Sequence, residues 1–156
     1  MAITSAICNS FKTEILTATH NFTNSTGNTF KLALYSSNSA TLSKSTTAYT
    51  APSDGTADPT NTYEVTSTSS GYTTGGNSLT STTPALSGDT ACCLFASTSW
   101  GSTASFTARG SLIYNSSASN KAVCVVNFGA DKTVTTGTFT VEFPAQTAGN
   151  AIIQIA

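Results

Sequence analysis

The apolar residues of this chain come in short runs, and the length and spacing of those runs limit what it can fold into. They gather at 30–35, 91–96, 112–114, 123–128, 139–143 and 151–155, with polar or glycine-containing turns between them. In the first run Phe30, Leu32 and Leu34 alternate with Lys31, Ala33 and Tyr35, the period of a strand with one well-buried face. Roughly six to eight strands of this kind, set apart by turns every 8–12 residues, describe an antiparallel sandwich or barrel-like domain. No helical segments alternate with the strands, which argues against a parallel sheet.

Only the N-terminal segment has a helical period. Ile3, Ile7, Phe11 and Ile15 recur at four-residue spacing with Cys8 and Leu16 alongside, which predicts an amphipathic helix over about 5–19. Thr4 is its expected N-cap, and it ends at His20 and Asn21. Residues 36–61 are almost all Ser, Thr, Ala, Pro, Asp and Gly, with Leu42 and Tyr49 as the large apolar exceptions. They read as a long surface loop with one short helical turn near 40–45, and a loop of that length is usually functional or pinned by a partner. Strands are expected at 63–66, 80–86, 90–97, 105–114, 121–128, 134–143 and 151–156, with turns at 87–89, 115–120 and 129–132. Residues 1–156 thus form one domain, with a β-core at about 29–35 and 63–156.

Composition says what such a domain can associate with. A 38% hydrophobic content with a net charge of −1 lacks the charge excess of a disordered chain. About a third of the residues are Ser or Thr and only 8% are charged. Solubility then rests on hydroxyls and on hiding apolar surface, which suits a protein that works inside an assembly. Lys12, Lys31, Lys44, Arg109, Lys121 and Lys132 are scattered singly. This argues against the clustered phosphate neutralisation of nucleic-acid binding and the basic stripe of a membrane-surface helix. No stretch approaches the ~18 apolar residues of a membrane span. The N-terminus lacks a basic region followed by an apolar one, so synthesis in a cytoplasm without secretion is expected. Asn21, Asn24 and Asn115 open N-x-Ser/Thr sequons of the kind a hydroxyl-rich chain produces by chance.

The residue types that carry chemistry each have a plainer reading here. Cys92 and Cys93 are adjacent on a strand and point to opposite faces, and Cys124 lies in Ala-Val-Cys-Val-Val. Together with Cys8 they are expected as reduced core residues, without zinc-site spacing. His20, the single histidine, falls at the expected helix end, where the dipole favours it, and no Gly-x-Ser-x-Gly elbow accompanies it. Glu64 and Glu142 read as solvent-face residues of alternating strands rather than a glycosidase pair. Asp54 and Asp58 belong to the turn around Gly55, without EF-hand spacing. Gly71, Gly75 and Gly76 mark tight turns and lack the lysine and helix of a phosphate loop. Trp100 reads as a core or interface anchor rather than a carbohydrate platform. The expectation is a protein with no catalytic residue, no metal, no cofactor and no small-molecule substrate.

Three stretches in order carry a resemblance. The first is Ala6-Ile7-Cys8-Asn9-Ser10-Phe11-Lys12-Thr13-Glu14-Ile15-Leu16, followed by His20-Asn21-Phe22 and Phe30-Lys31-Leu32-Ala33-Leu34-Tyr35. The second is Tyr63-Glu64-Val65 leading to Gly71-Tyr72-Thr73-Thr74-Gly75-Gly76. The third is Ala108-Arg109-Gly110-Ser111-Leu112-Ile113-Tyr114-Asn115, with Asn120-Lys121-Ala122-Val123 and Phe128-Gly129 after it. This order resembles a group of small virion structural proteins of tailed bacteriophages and covers most of the chain.

The resemblance implies a non-enzymatic particle protein located in the virion, a capsid decoration (cement) protein on the outside of the head shell. A tail, baseplate or fibre-associated protein and a host-surface adhesin module are the alternatives. Its partners would be the major capsid protein and copies of itself, and a near-neutral, hydroxyl-rich face is compatible with a trimer. Residues 36–61 are the candidate arm across neighbouring subunits, with 63–79 beside it. Tyr35, Tyr49, Tyr63, Tyr72 and Trp100 are candidate interface anchors, because aromatic residues dominate interface energetics.

Overall fold

The computed structural model describes residues 3–36, 40–50, 63–65 and 71–156. Asp54, Asp58 and most of the expected arm lie outside these residues. The described chain is mostly strand, arranged in two antiparallel sheets with one short helix. Five strands, β1 (Ala6–Ile7), β2 (Phe30–Tyr35), β3 (Asn77–Leu79), β6 (Thr98–Asn115) and β7 (Lys121–Val141), make the larger sheet in the order β1-β7-β6-β2-β3. The smaller sheet orders β4 (Ala85–Ser87), β5 (Thr90–Cys93) and β8 (Ile153–Ile155) as β4-β5-β8. Both sheets are open, so the barrel form expected from strand spacing gives way to two sheets with free edges. They are joined where Ser81 bridges Phe95, with Thr82 N–H donating to Leu94 O and Ala96 N–H to Thr80 O.

β2 pairs with β6 along its whole length, from Phe30 opposite Asn115 to Tyr35 opposite Gly110. Its position inside the sheet explains why Leu32, Ala33, Leu34 and Tyr35 are all buried, where alternation alone predicts one buried face. Phe22 stacks on Phe30 with ring centroids 4.3 Å apart, and Phe95 and Phe143 extend the cluster between the sheets. Full burial of each such ring stabilises the fold by about 1.5–3 kcal/mol. Cys8, Cys92, Cys93 and Cys124 are buried and unpaired with one another, as the sequence context predicts.

The helix α1 is shorter than expected, spanning Asn9–Leu16. Ala6 and Ile7 instead form β1 against Val125 and Cys124, and Thr4 N–H donates to Leu42 O. These pairings hold the backbone extended up to Cys8, which caps the helix without a side-chain hydrogen bond, so Thr4 is not the N-cap. At the other end Thr17 and Thr19 N–H groups fold back on Glu14 O, and Ala18 takes a φ of 56°. Leu16 is left 85% exposed.

The largest departure is in the C-terminal half. The expected turn at 129–132 does not separate two strands; β6 and β7 form one long hairpin whose pairing continues from Asn115–Lys121 to Thr98–Val141. The register jumps between Ala108/Lys132 and Gly110/Asn127, so the turn-like residues become a bulge, with Gly129 at a φ of 77°. A second bulge between Phe106/Val134 and Ala104/Gly137 contains Thr136, whose N–H donates to Ser105 Oγ. The half nearest the turn belongs to the core, whereas 129–133 on β7 are exposed and the rest of its outer half is at most partly covered.

Candidate functional site

The most organised polar cluster surrounds Glu64, which alternation places on a solvent face. The structure corrects this: Glu64 is only 4% exposed. Tyr63 O accepts Ser36 N–H and Val65 N–H donates to Leu34 O, so residues 63–65 lie along the edge of β2 beyond β3, with Glu64 bridging Tyr35. The carboxylate accepts Tyr72 O–H at 2.7 Å and Gly75 N–H at 2.7 Å on Oε1, and Tyr49 O–H at 3.0 Å on Oε2. Tyr72 Oη in turn accepts Leu34 N–H, and Tyr114 O–H donates to Gly75 O. Tyr49 and Tyr114 stack with centroids 4.3 Å apart. Burial pushes the Glu64 carboxyl above its ordinary value, against the pull of these three donors. Burial and then the Glu64 charge push the phenols of Tyr49, Tyr72 and Tyr114 upward.

A second cluster joins α1 to the hairpin turn. Lys121 Nζ contacts Glu14 Oε1 at 2.6 Å, and His20 Nε2–H donates to Glu14 Oε2 at 2.9 Å. His20 Nδ1 accepts from Asn115 Nδ2, which also donates to Asn28 Oδ1, while Asn115 Oδ1 accepts Ser117 N–H. This wiring sets the tautomer of His20, which lies four residues past the helix and inside the protein rather than at a helix terminus. Burial opposes ionisation of Glu14, but Lys121 and His20 together hold its carboxyl below the ordinary range.

The five aromatic candidates divide differently from the expectation. Tyr35, Tyr49, Tyr72 and Trp100 are buried and Tyr63 is half-buried. Trp100 packs between Tyr72, Phe106 and Phe139. Four of the five therefore pack in the core of this chain. What the surface offers instead is an apolar cleft of about 320 Å³ between α1 and β8, lined by Ile7, Ile15, Leu16, Ile153 and Ile155. Ile155 faces Ala91, which faces Leu86, so the 59% exposed Ile155 and the 74% exposed Leu86 share one row across the small sheet. On the outer ribbon, Phe128, Phe139 and Val141 line a second groove, with Lys132 and Glu142 at its rim.

Among the described residues no group of three His, Cys, Asp or Glu side chains is placed to hold a metal, and no helix is long and apolar enough to cross a membrane. Comparison with protein-family models, with curated proteins and with solved structures returns no match to this chain.

Proposed function

We propose that this chain is a non-enzymatic structural protein of a tailed-bacteriophage particle, a capsid decoration protein that binds the outside of the head shell. The observation that carries this reading is the outer edge of β7. β1 pairs with it only at Cys124 and Val125, and from Phe128 to Val141 no described strand runs along it. Along that edge every second residue turns its N–H and C=O outward. Folds that stay monomeric shorten, cover or charge such edges, yet Asp131 and Lys132 are the only charged residues between Phe128 and Val141. An open edge of this length can extend a neighbour's sheet by strand addition, and the apolar cleft beside Leu16 and Ile155 adds a second contact surface. The near-neutral, hydroxyl-rich exterior lets many copies sit side by side without charge repulsion. The partners are then the major capsid protein and further copies of the chain, met in the host cytoplasm where the particle assembles.

The test is to mix the purified protein with heads of the encoding phage that lack it. Co-sedimentation with assembled shells, little binding to isolated capsid subunits, and heads that survive a higher temperature are the expected results. Heads that neither bind the protein nor gain heat tolerance would sink the reading. Immunogold label confined to the tail of intact particles would move the protein to the tail or baseplate.

A further inference from the structure

The three donors around Glu64 are not equivalent. Oε1 receives both Gly75 N–H and Tyr72 O–H. Neither can reverse: the first is a backbone amide, and the Tyr72 oxygen is already occupied by Leu34 N–H, which commits its own proton to Glu64. Oε2 meets the Tyr49 hydroxyl at 3.0 Å, and a hydroxyl can donate to a carboxylate or accept from a carboxyl O–H. The pocket can therefore take up a proton on Oε2 by rotating one phenol hydrogen, with no heavy atom displaced.

We propose that Glu64 is a proton-controlled clasp that fastens residues 63–65 to the edge of β2, gripping when its carboxyl is protonated and loosening when it ionises. The titratable groups that face it are Tyr35 from β2, Tyr49 from the 40–50 segment, Tyr72 from the 71–76 turn and Tyr114 from β6. Among the described residues all are phenols, and none brings a positive charge. Glu64 is 4% exposed and no described cation approaches it, so desolvation of the charge outweighs the three hydrogen bonds that favour the carboxylate, and the ionised form is the strained one. The sign follows from burial beside neutral partners only, and the carboxyl raised above 4.5 agrees with it. The grip is complete below 4.5 and is lost as pH rises through the higher folded-state value, tenfold for each unit separating the two. Loosening frees the backbone bonds at Ser36, Leu34 and Val65.

The experiment uses the whole 156-residue chain. Carbon-13 NMR of the side-chain carboxyl follows Glu64 directly, and backbone hydrogen exchange at Val65, Ser36 and Gly75, corrected for intrinsic rate, follows the clasp. In the wild type the carboxyl midpoint should lie above 4.5, and protection at these amides should fall several-fold between that pH and about 8. Glu64→Gln places an N–H donor toward Tyr49 as the protonated acid does, and its protection should stay flat with pH. Tyr49→Phe removes a bond that favours the carboxylate and should move the midpoint further up. A wild-type midpoint at or below 4.5, or exchange profiles that run parallel in wild type and Glu64→Gln, would overturn the proposal. Should Glu64→Gln fail to fold, the wild-type titration and the Tyr49→Phe shift still decide it.

Discussion

Replacing Gly76 with alanine puts the heaviest steric load on the turn that carries Gly75 to Glu64. Gly76 sits at a φ of +72°, and a Cβ there would lie 1.7 Å from Leu32 O, 2.5 Å from Leu32 C and 2.8 Å from Ala33 Cα. These are backbone atoms of β2, so no flexible side chain can swing aside. β2 cannot retreat, because Leu32 and Ala33 are paired to Ile113 and Leu112 of β6 on the other side. Relief must come from opening the Leu32–Asn77 pair or from moving the turn and its Gly75–Glu64 bond.

Left-handed backbone alone costs an alanine about 1–2 kcal/mol. Losing a ladder bond and leaving buried Glu64 Oε1 short of its Gly75 donor adds roughly 2–4 kcal/mol, for a total of about 3–6 kcal/mol. Gly88 is the control, with a φ of +63° and nothing within 4 Å of its would-be Cβ. Gly88→Ala should incur only the left-handed cost of about 1–2 kcal/mol. Urea titrations of both variants, compared at a shared m value, read the difference. If Gly76→Ala falls within about 1 kcal/mol of Gly88→Ala, the close approach of this turn to β2 is wrong, and with it the account of the Glu64 pocket.

Other substitutions test other joints. Glu14 ionises more readily than an ordinary glutamate, so the stability it lends is present above 4.5 and is lost as pH falls through its lowered folded-state value. Glu14→Gln should cost about 1–2 kcal/mol at neutral pH, a figure discounted for the exposed Lys121, and should converge with the wild type in acid; an offset that persists below that window counts against it. Thr136 is β-branched at a φ of 47°, and Thr136→Gly should raise stability by about 0.5–1 kcal/mol, a thermal shift of some 1–4 °C. An unchanged or lowered midpoint would remove the strain from that bulge. Burial, helped by the Glu14 charge, lifts the Cys8 thiol to about 11, and burial lifts Cys93 to about 12. Iodoacetamide at pH about 8 should leave both thiols unmodified in the folded protein and alkylate them in urea, as peptide mass spectrometry would read; labelling without denaturant contradicts the packing.

Where local pattern decides, the sequence is a good guide to this fold. The alternation over Phe30–Tyr35 is β2, the apolar run at 123–125 is the buried start of β7, and Cys124 within it is core. Pattern misleads where long-range pairing outbids it. The four-residue stripe of Ile3, Ile7 and Phe11 describes a helix, but β1 takes Ile7 into the sheet because Cys124 stands ready to pair with it. Gly129 signals a turn, yet a glycine at positive φ serves a bulge equally well, and only the partner strand Thr98–Asn115 decides which. Glu64 was invisible as a buried acid because its donors Tyr49, Tyr72 and Gly75 are contributed by two other segments.

The fate of the aromatic candidates follows from the same composition that suggested them. A chain with 38% hydrophobic residues has few large side chains to spare, and two open sheets need nearly all of them between and along their faces. Tyr35, Tyr49, Tyr72 and Trp100 are therefore drawn inside, and Leu16, Leu86 and Ile155 are the large apolar residues left exposed among those described. Phe128 and Phe139, only partly covered in the groove of the outer ribbon, are among the aromatic rings that stay near the surface. Beside them lie the backbone edge of β7 and the hydroxyls of Thr135, Thr138 and Thr140, while the Thr133 hydroxyl already bonds that of Thr107. Contact of that kind depends on strand register and cumulative hydrogen bonding more than on charge. Assembly through it should be nearly indifferent to ionic strength, since only Asp131 and Lys132 lie on the edge and Asp131 already faces Arg109. A proline placed in that edge at a position whose N–H points outward should weaken binding while leaving the pairing with β6 intact. Binding that collapses in high salt, or that ignores such a proline, would move the interface away from β7.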